Sequence, residues 1–274
     1  VSCISRMSDG VYDGQFTCKD NNTGNPVLEL SFKNGKQQGK RTVYNSKTKD
    51  LIQVSNWDNG VANGEEQIYS DGKILCKTEY KNGKKNGKQV CYGAAESRDP
   101  TSWGSAYHKI KYFKDDEKTI DVIFDDGKII SGLLTTRHGS LVSQQRFFEG
   151  KKDGKIEDFI LSPSDGITRI PFAKGEFKSG LPVGNFTYYA KDGKSICAEK
   201  TYDNGHPVSG FVNRYSIDGS AYGQVKLVKY ESFDLFVMDG NEKVKHGYQY
   251  DGKDDVCSSF CKITENTWDS GVIL

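Results

Sequence analysis

Long apolar runs are missing from this sequence. No stretch approaches the roughly 18–20 consecutive apolar residues that a membrane-spanning helix requires, so a helical span is excluded. A helical period is missing too, and nothing long reads as a helix. Proline is scarce, 6 residues against 30 glycines, and glycine with Asn and Asp marks many turns. Charge of one sign is also missing. The formal net charge is +1, without the basic excess that general nucleic-acid binding needs. Only 35% of residues are hydrophobic, thin for a deep core, yet aromatics at 12% set the chain apart from disordered sequences. Few apolar residues, many aromatics and many turns suit a sheet one layer thick.

Catalytic signatures are missing as well. His108, His138, His206 and His246 stand in no HExxH motif and beside no motif Ser or Cys. There is no GxSxG elbow, P-loop or GxGxxG. Asp125-Asp126-Gly127-Lys128 lacks the alternating acids and closing Glu of a calcium loop. Cys257 and Cys261, with His246, fall short of the four recognisably spaced ligands zinc wants. The expectation is a non-enzyme, with no catalytic residue, metal or cofactor. The chain opens VSCISRM, with neither an initiator Met nor an apolar leader core. That reads as a removed signal peptide or a trimmed chain.

What is present is a repeat. The pattern aromatic-x-x-Gly-x-x-x-Gly recurs at Phe32-Gly35-Gly39, Trp57-Gly60-Gly64, Tyr80-Gly83-Gly87, Phe147-Gly150-Gly154 and Phe177-Gly180-Gly184. Tyr202-Gly205-Gly210 fits with one extra residue, and Met7-Gly10-Gly14 with Met for the aromatic. A further aromatic falls five residues after the second Gly, at Tyr44, Tyr69, Tyr92, Phe159, Tyr189 and Tyr215. The first glycines recur after 25, 25 and 23 residues, then after 67, 30 and 25. The long gap holds a degenerate copy near Phe124-Asp125-Asp126-Gly127. A period in the 20s is the signature of an array. Asn-Gly and Asp-Gly between strand-length runs signal hairpins, because both residues tolerate positive φ.

The fold class expected is therefore all-β, an elongated single-layer antiparallel meander of repeated hairpins. The boundaries read as N-terminal repeats over 1–92, an irregular insert over 93–123, C-terminal repeats over 124–250 and a cap over 251–274, or one continuous domain. If the aromatic and second Gly face each other across the hairpin, the ring lies over the missing side chain. Otherwise the Gly supplies turn flexibility.

The same alignment places the cysteines. Cys76 lies four residues before Tyr80, and Cys91 four after Gly87. Cys3 and Cys18 occupy the same positions around Met7 and Gly14. If the aromatic faces the second Gly across the hairpin, each Cys faces its mate as well, and directly opposed residues have Cα atoms about 4.5 Å apart, within reach of a disulfide. Cys3–Cys18 and Cys76–Cys91 disulfides are expected. Cys257–Cys261 is a third, leaving Cys197 free. Disulfides imply an oxidising compartment, periplasmic or extracellular.

The segments YKNGKKNG at 80–87, FKNGKQQG at 32–39, WDNGVANG at 57–64 and FKSGLPVG at 177–184, each with its following Tyr or Phe, resemble the MORN repeat. The closer likeness is to its bacterial variant, the family known as YwqK-type antitoxins. The resemblance covers most of 7–220. It implies a partner that is another protein, a toxin or effector held by steric capture. The regular aromatics supply a candidate partner surface, with Trp57 and Tyr80 from the repeats and Trp103, Tyr107, Tyr112 and Phe113 from the insert. The alternatives are an exported structural or host-contact scaffold and a lipid-associated MORN array. Lysines such as Lys81, Lys84, Lys85 and Lys88 read as solvated edge charges rather than an anionic-lipid patch.

Overall fold

A computed structural model describes residues 1–97, 107–109, 113–190, 192–215, 221–229, 235–239 and 242–244, with backbone alone at 97, 107–109 and 207 and beyond 210. Among the described residues every regular element is a β-strand. None is a helix long and apolar enough to cross a membrane. The chain divides into two compact units, one of Val1–Arg137 with Phe147–Gly150, the other of His138–Arg146 with the chain from Lys151.

The first unit carries β1 (Ser2–Ser8), β2 (Val11–Lys19), β3 (Pro26–Lys33), β4 (Lys36–Gln37), β5 (Gly39–Tyr44), β6 (Leu51–Asp58), β7 (Val61–Ala62), β8 (Gly64–Ser70), β9 (Lys73–Lys81), β10 (Lys84–Tyr92), β11 (Ala94–Ser97), β12 (Tyr107–Lys109), β13 (Lys118–Asp125) and β14 (Lys128–His138). The last residue of β14, His138, belongs to the second unit, and residues of β15 (Leu141–Phe148) fall in both. The second unit continues with β16 (Lys151–Leu161), β17 (Arg169–Lys178), β18 (Leu181–Tyr189), β19 (Ile196–Asp203), β20 (His206–Tyr215), β21 (Ala221–Lys229), β22 (Leu235–Asp239) and β23 (Glu242–Val244).

The architecture is an open antiparallel sheet of successive hairpins. Within the first unit, β2 pairs with β3, β5 with β6, β8 with β9 and β10 with β13. Because β10 pairs directly with β13, the degenerate copy at Phe124 takes the next place in the ladder, with β11 and β12 falling in the sequence between them. One departure from the antiparallel pattern is β11, which runs parallel to β14 through Glu96 and Thr136.

Each hairpin closes as its dipeptide dictates. Asn82 and Gly83 have φ of 51° and 80°, the primed turn whose twist matches the strands. The turn then bonds to the preceding copy. Gly83 N–H donates to Ala62 O at 2.8 Å, as Gly35 does to Tyr12, Gly60 to Gln37, Gly127 to Lys85 and Gly150 to Ile130. In the second unit Gly180 donates to Lys152 O and Gly205 to Pro182 O.

The second glycine does not face its own aromatic. Tyr80 pairs with Lys85. Gly87 pairs with Phe124 of the next copy, and Gly64 of the copy before pairs with Tyr80. The same cross-copy pairing joins Gly14 to Phe32, Gly39 to Trp57, Gly154 to Phe177 and Gly184 to Tyr202. The cause is a bulge on the return strand. Between Tyr80↔Lys85 and Thr78↔Gln89, Glu79 alone stands against Asn86, Gly87 and Lys88. Beyond the bulge the register returns, so Leu28 meets Val43, Gln53 meets Ile68 and Ala173 meets Tyr188.

Cysteines follow that register. Cys3–Cys18 and Cys76–Cys91 are disulfides, with Cα atoms 4.0 and 4.1 Å apart. They mark the chain as belonging to an oxidising compartment. Cys197 is buried and also disulfide-bonded, which corrects the expectation of a free thiol. Its buried position on β19 reads equally well as an apolar residue, so spacing alone does not reveal the bond. The expected Cys257–Cys261 pairing lies outside the described residues.

Apolar side chains gather in one cluster per unit. In the first, Cys76 and Cys91 pack with Ile68, Ile120, Val122, Phe124 and Leu134. In the second, Ile156, Phe172, Phe177, Phe186 and Tyr188 pack together, with Phe186 edge-on to Phe177 and Tyr202. The far hairpin ends are closed by side chains. Asp20 accepts from the N–H groups of Asn22 and Thr23, and Asp165 from those of Ile167 and Thr168. Thr23 and Asn25 then both donate to Ser46 O in the neighbouring copy's loop.

Candidate functional site

One position separates the copies chemically. Two residues after the second glycine stand Phe16, Ile156 and Phe186 in three copies, but Arg41, Glu66 and Gln89 in three adjacent copies of the first unit. The apolar versions pack as core. Phe16 meets Tyr12 and Phe32 edge-on, and Ile156 and Phe186 belong to the second unit's cluster. The polar versions sit on the same ladder row, since Arg41 pairs with Ser55, Glu66 with Thr78, and Thr78 with Gln89. Polar residues at a core position are costly unless bonded, and a local departure from the packing rule points to function.

These side chains form a connected network. Gln53 accepts from Arg41 Nη1 at 3.4 Å and donates to Glu66 Oε2 at 2.6 Å. Burial pushes the Glu66 carboxyl above the usual range, opposed by the Gln53 bond, by Lys85 and Arg41, and by a bond to Tyr80. Gln89 donates to Thr78 Oγ1 at 3.1 Å, both fully buried. Lys85 holds Glu96 of β11 at 2.8 Å and lies 4.9 Å over the Phe124 ring. The insert is thereby tied to the sheet beside the network, because β11 also exchanges bonds with Thr119 through Ala94.

The expected partner aromatics divide. Trp57 and Tyr80 come together on this face in adjacent copies, both half-buried. Trp57 Nε1 donates to Ser55 Oγ at 2.9 Å, and Tyr80 bonds Glu66. Phe113 is buried, at 5% exposure, so it serves the core. Tyr107 lies on β12, paired with Glu96. Trp103 and Tyr112 lie outside the described residues. Spacing read for aromatics missed Arg41, Gln53, Glu66, Lys85 and Glu96. The signal that finds three of the network residues is the repeat itself, through polar residues where other copies carry Phe or Ile.

The arrangement offers alternating cations, carboxylates and amides flanked by two rings. The polar groups are bonded to one another, Arg41 to Gln53, Gln53 to Glu66 and Gln89 to Thr78. Among the described residues, no three or more His, Cys, Asp or Glu side chains converge as a metal-binding group. No protein-family model matches this chain, and no curated protein matches it.

Proposed function

We propose that the chain is a non-enzymatic protein-binding repeat module, of MORN-variant type, exported to the periplasm or cell exterior. Its most specific role is that of an antitoxin or immunity protein that neutralises a secreted toxin or effector by steric capture. The observation that carries this reading is the run of Arg41, Glu66 and Gln89 at core positions beside Trp57 and Tyr80. A network so placed gives up apolar packing in three consecutive copies, a local departure of the kind that functional sites carry. The two disulfides support the compartment.

Affinity capture with the oxidised protein from its host's secreted fraction is expected to recover a toxin-like protein. Arg41→Glu reverses a charge at the network's edge and lowers that affinity by roughly tenfold or more. Capture that returns no toxin-like protein, or a partner held equally well by the variant, overturns the reading. The two disulfides equally favour a second reading, an exported structural or host-contact scaffold, which predicts cell-surface exposure without toxin capture.

A further inference from the structure

Two repeat positions recur as facing pairs. They hold the disulfides Cys3–Cys18 and Cys76–Cys91 in the first unit. In the copy around Phe147, the same two positions are Ser143, four residues before the aromatic, and Asp158, four after Gly154. The pair is hydrogen-bonded. Asp158 is thus a carboxylate where four other copies bury Cys18, Ile68, Cys91 and Tyr188. It is 6% exposed, opposite Ala173 on β17 and next to the fully buried Phe159. Its Oδ1 has no hydrogen-bond partner.

We propose that buried Asp158 is a proton-operated switch in the second unit, the strands packing more tightly around it when it is protonated and loosening when it ionises. The Ser143 hydroxyl offsets part of the cost of the ionised form. The neighbouring charges leave it nearly alone. On its own strand, Lys152 is the one opposite charge that acts on it. Arg146, the charge on β15, packs by Gly154. On β17, Lys174 and Glu176 pair with Glu157 and Lys155, on the face opposite to Asp158. Arg169 pairs with Glu157 and covers the Phe159 ring, and Lys178 lies at the turn end of the strand.

Burial raises the carboxyl to about 6, against the Ser143 bond and Lys152, which lower it. The sign follows from linkage. A folded carboxyl raised above its unfolded value binds a proton that the unfolded chain releases. Its stabilising contribution is complete below the unfolded value near 3.8, fades as pH rises to about 6, and is absent above. The second unit is therefore tighter in mildly acidic surroundings than in neutral ones. The device is independent of what the array binds.

The test uses the full oxidised chain. Carbon NMR should place the Asp158 carboxyl midpoint near 6. Deuterium exchange, corrected for intrinsic rates, should show roughly tenfold stronger protection of the β15–β17 amides at pH 5 than at pH 7.5. Asp158→Asn should remove that difference. Ser143→Ala, which takes a donor from the ionised carboxyl, should move the midpoint upward. A midpoint near 4 in the unmodified protein, an unmoved midpoint in Ser143→Ala, or a pH difference that survives in Asp158→Asn overturns the proposal.

Discussion

Glu79 does two things in its hairpin. It stands alone against three residues of the return strand, and its carboxylate accepts the Lys88 N–H at 2.9 Å, satisfying a backbone donor that the bulge takes out of the ladder. Gly87 makes this possible. It has φ of 100°, and an added Cβ would lie 1.9 Å from Glu79 Oε2. Gly87→Ala therefore strains the backbone and displaces the carboxylate from Lys88. The expected loss is about 1–3 kcal/mol, read as a lower urea midpoint with unchanged slope. Alanine at Gly10, where nothing lies within 4 Å of the added carbon, meets only the backbone term and should cost less.

At the scale of the hairpin, the disulfides are cross-strand staples in two different settings. Cys76–Cys91 is fully buried among Ile68, Ile120 and Val122, whereas Cys3 is exposed on β1. Both close loops with a sequence separation of 15, so the chain-entropy term is the same, about 3 kcal/mol. Burial separates them. Cys76→Ser with Cys91→Ser should cost more than Cys3→Ser with Cys18→Ser, because it also places two hydroxyls in a packed core. Denaturant unfolding of the two double variants measures the gap, and equal losses would show that burial contributes nothing.

Much of this hairpin was legible in the residues. Asn-Gly marked the turn, and four-residue offsets paired Cys76 with Cys91 on the premise that Tyr80 faces Gly87; the premise fails, but the register beyond the bulge brings the two cysteines opposite each other. The bulge was not legible, since it depends on how many residues of one strand stand against the other, which composition does not encode. The aromatic therefore meets the glycine of the neighbouring copy rather than its own. The parallel docking of β11 on β14 was hidden for a similar reason, because a non-local pairing leaves no local period. Arg41, Glu66 and Gln89 were visible in the alignment, but only as exceptions to an apolar column. Asp158 sat in the cysteine column and read as nothing, since its burial is made by Phe159, Ala173 and other residues around it.

For the molecule as a whole, acid acts through exposed carboxylates that the turns hold ionised. Backbone bonds from Thr23 and Asn22 lower the Asp20 carboxyl, and bonds from Thr168 and Ile167 lower that of Asp165. Their folded values lie below the unfolded ones, so their contribution is present above about pH 4 and is lost as pH falls through the folded values. A far-ultraviolet dichroism titration should show loosening of the hairpin ends below pH 4. Asp20→Asn should keep the turn, as Asn45 does with Lys47 and Thr48, while removing its share of the acid response. An unchanged response in that variant would assign acid loosening elsewhere.

Among the bonds between successive copies, the one that recurs from turn to turn runs from backbone to backbone, from a turn glycine N–H to a carbonyl. The residues that offer that carbonyl are Tyr12, Gln37, Ala62, Lys85, Ile130, Lys152 and Pro182. They share no size, charge or polarity. That one bond therefore places no condition on the side chain of the residue offering the carbonyl, and drift there leaves the bond untouched. A lineage carrying this array can rewrite the chemistry of one face copy by copy, while the spacing between copies stays fixed.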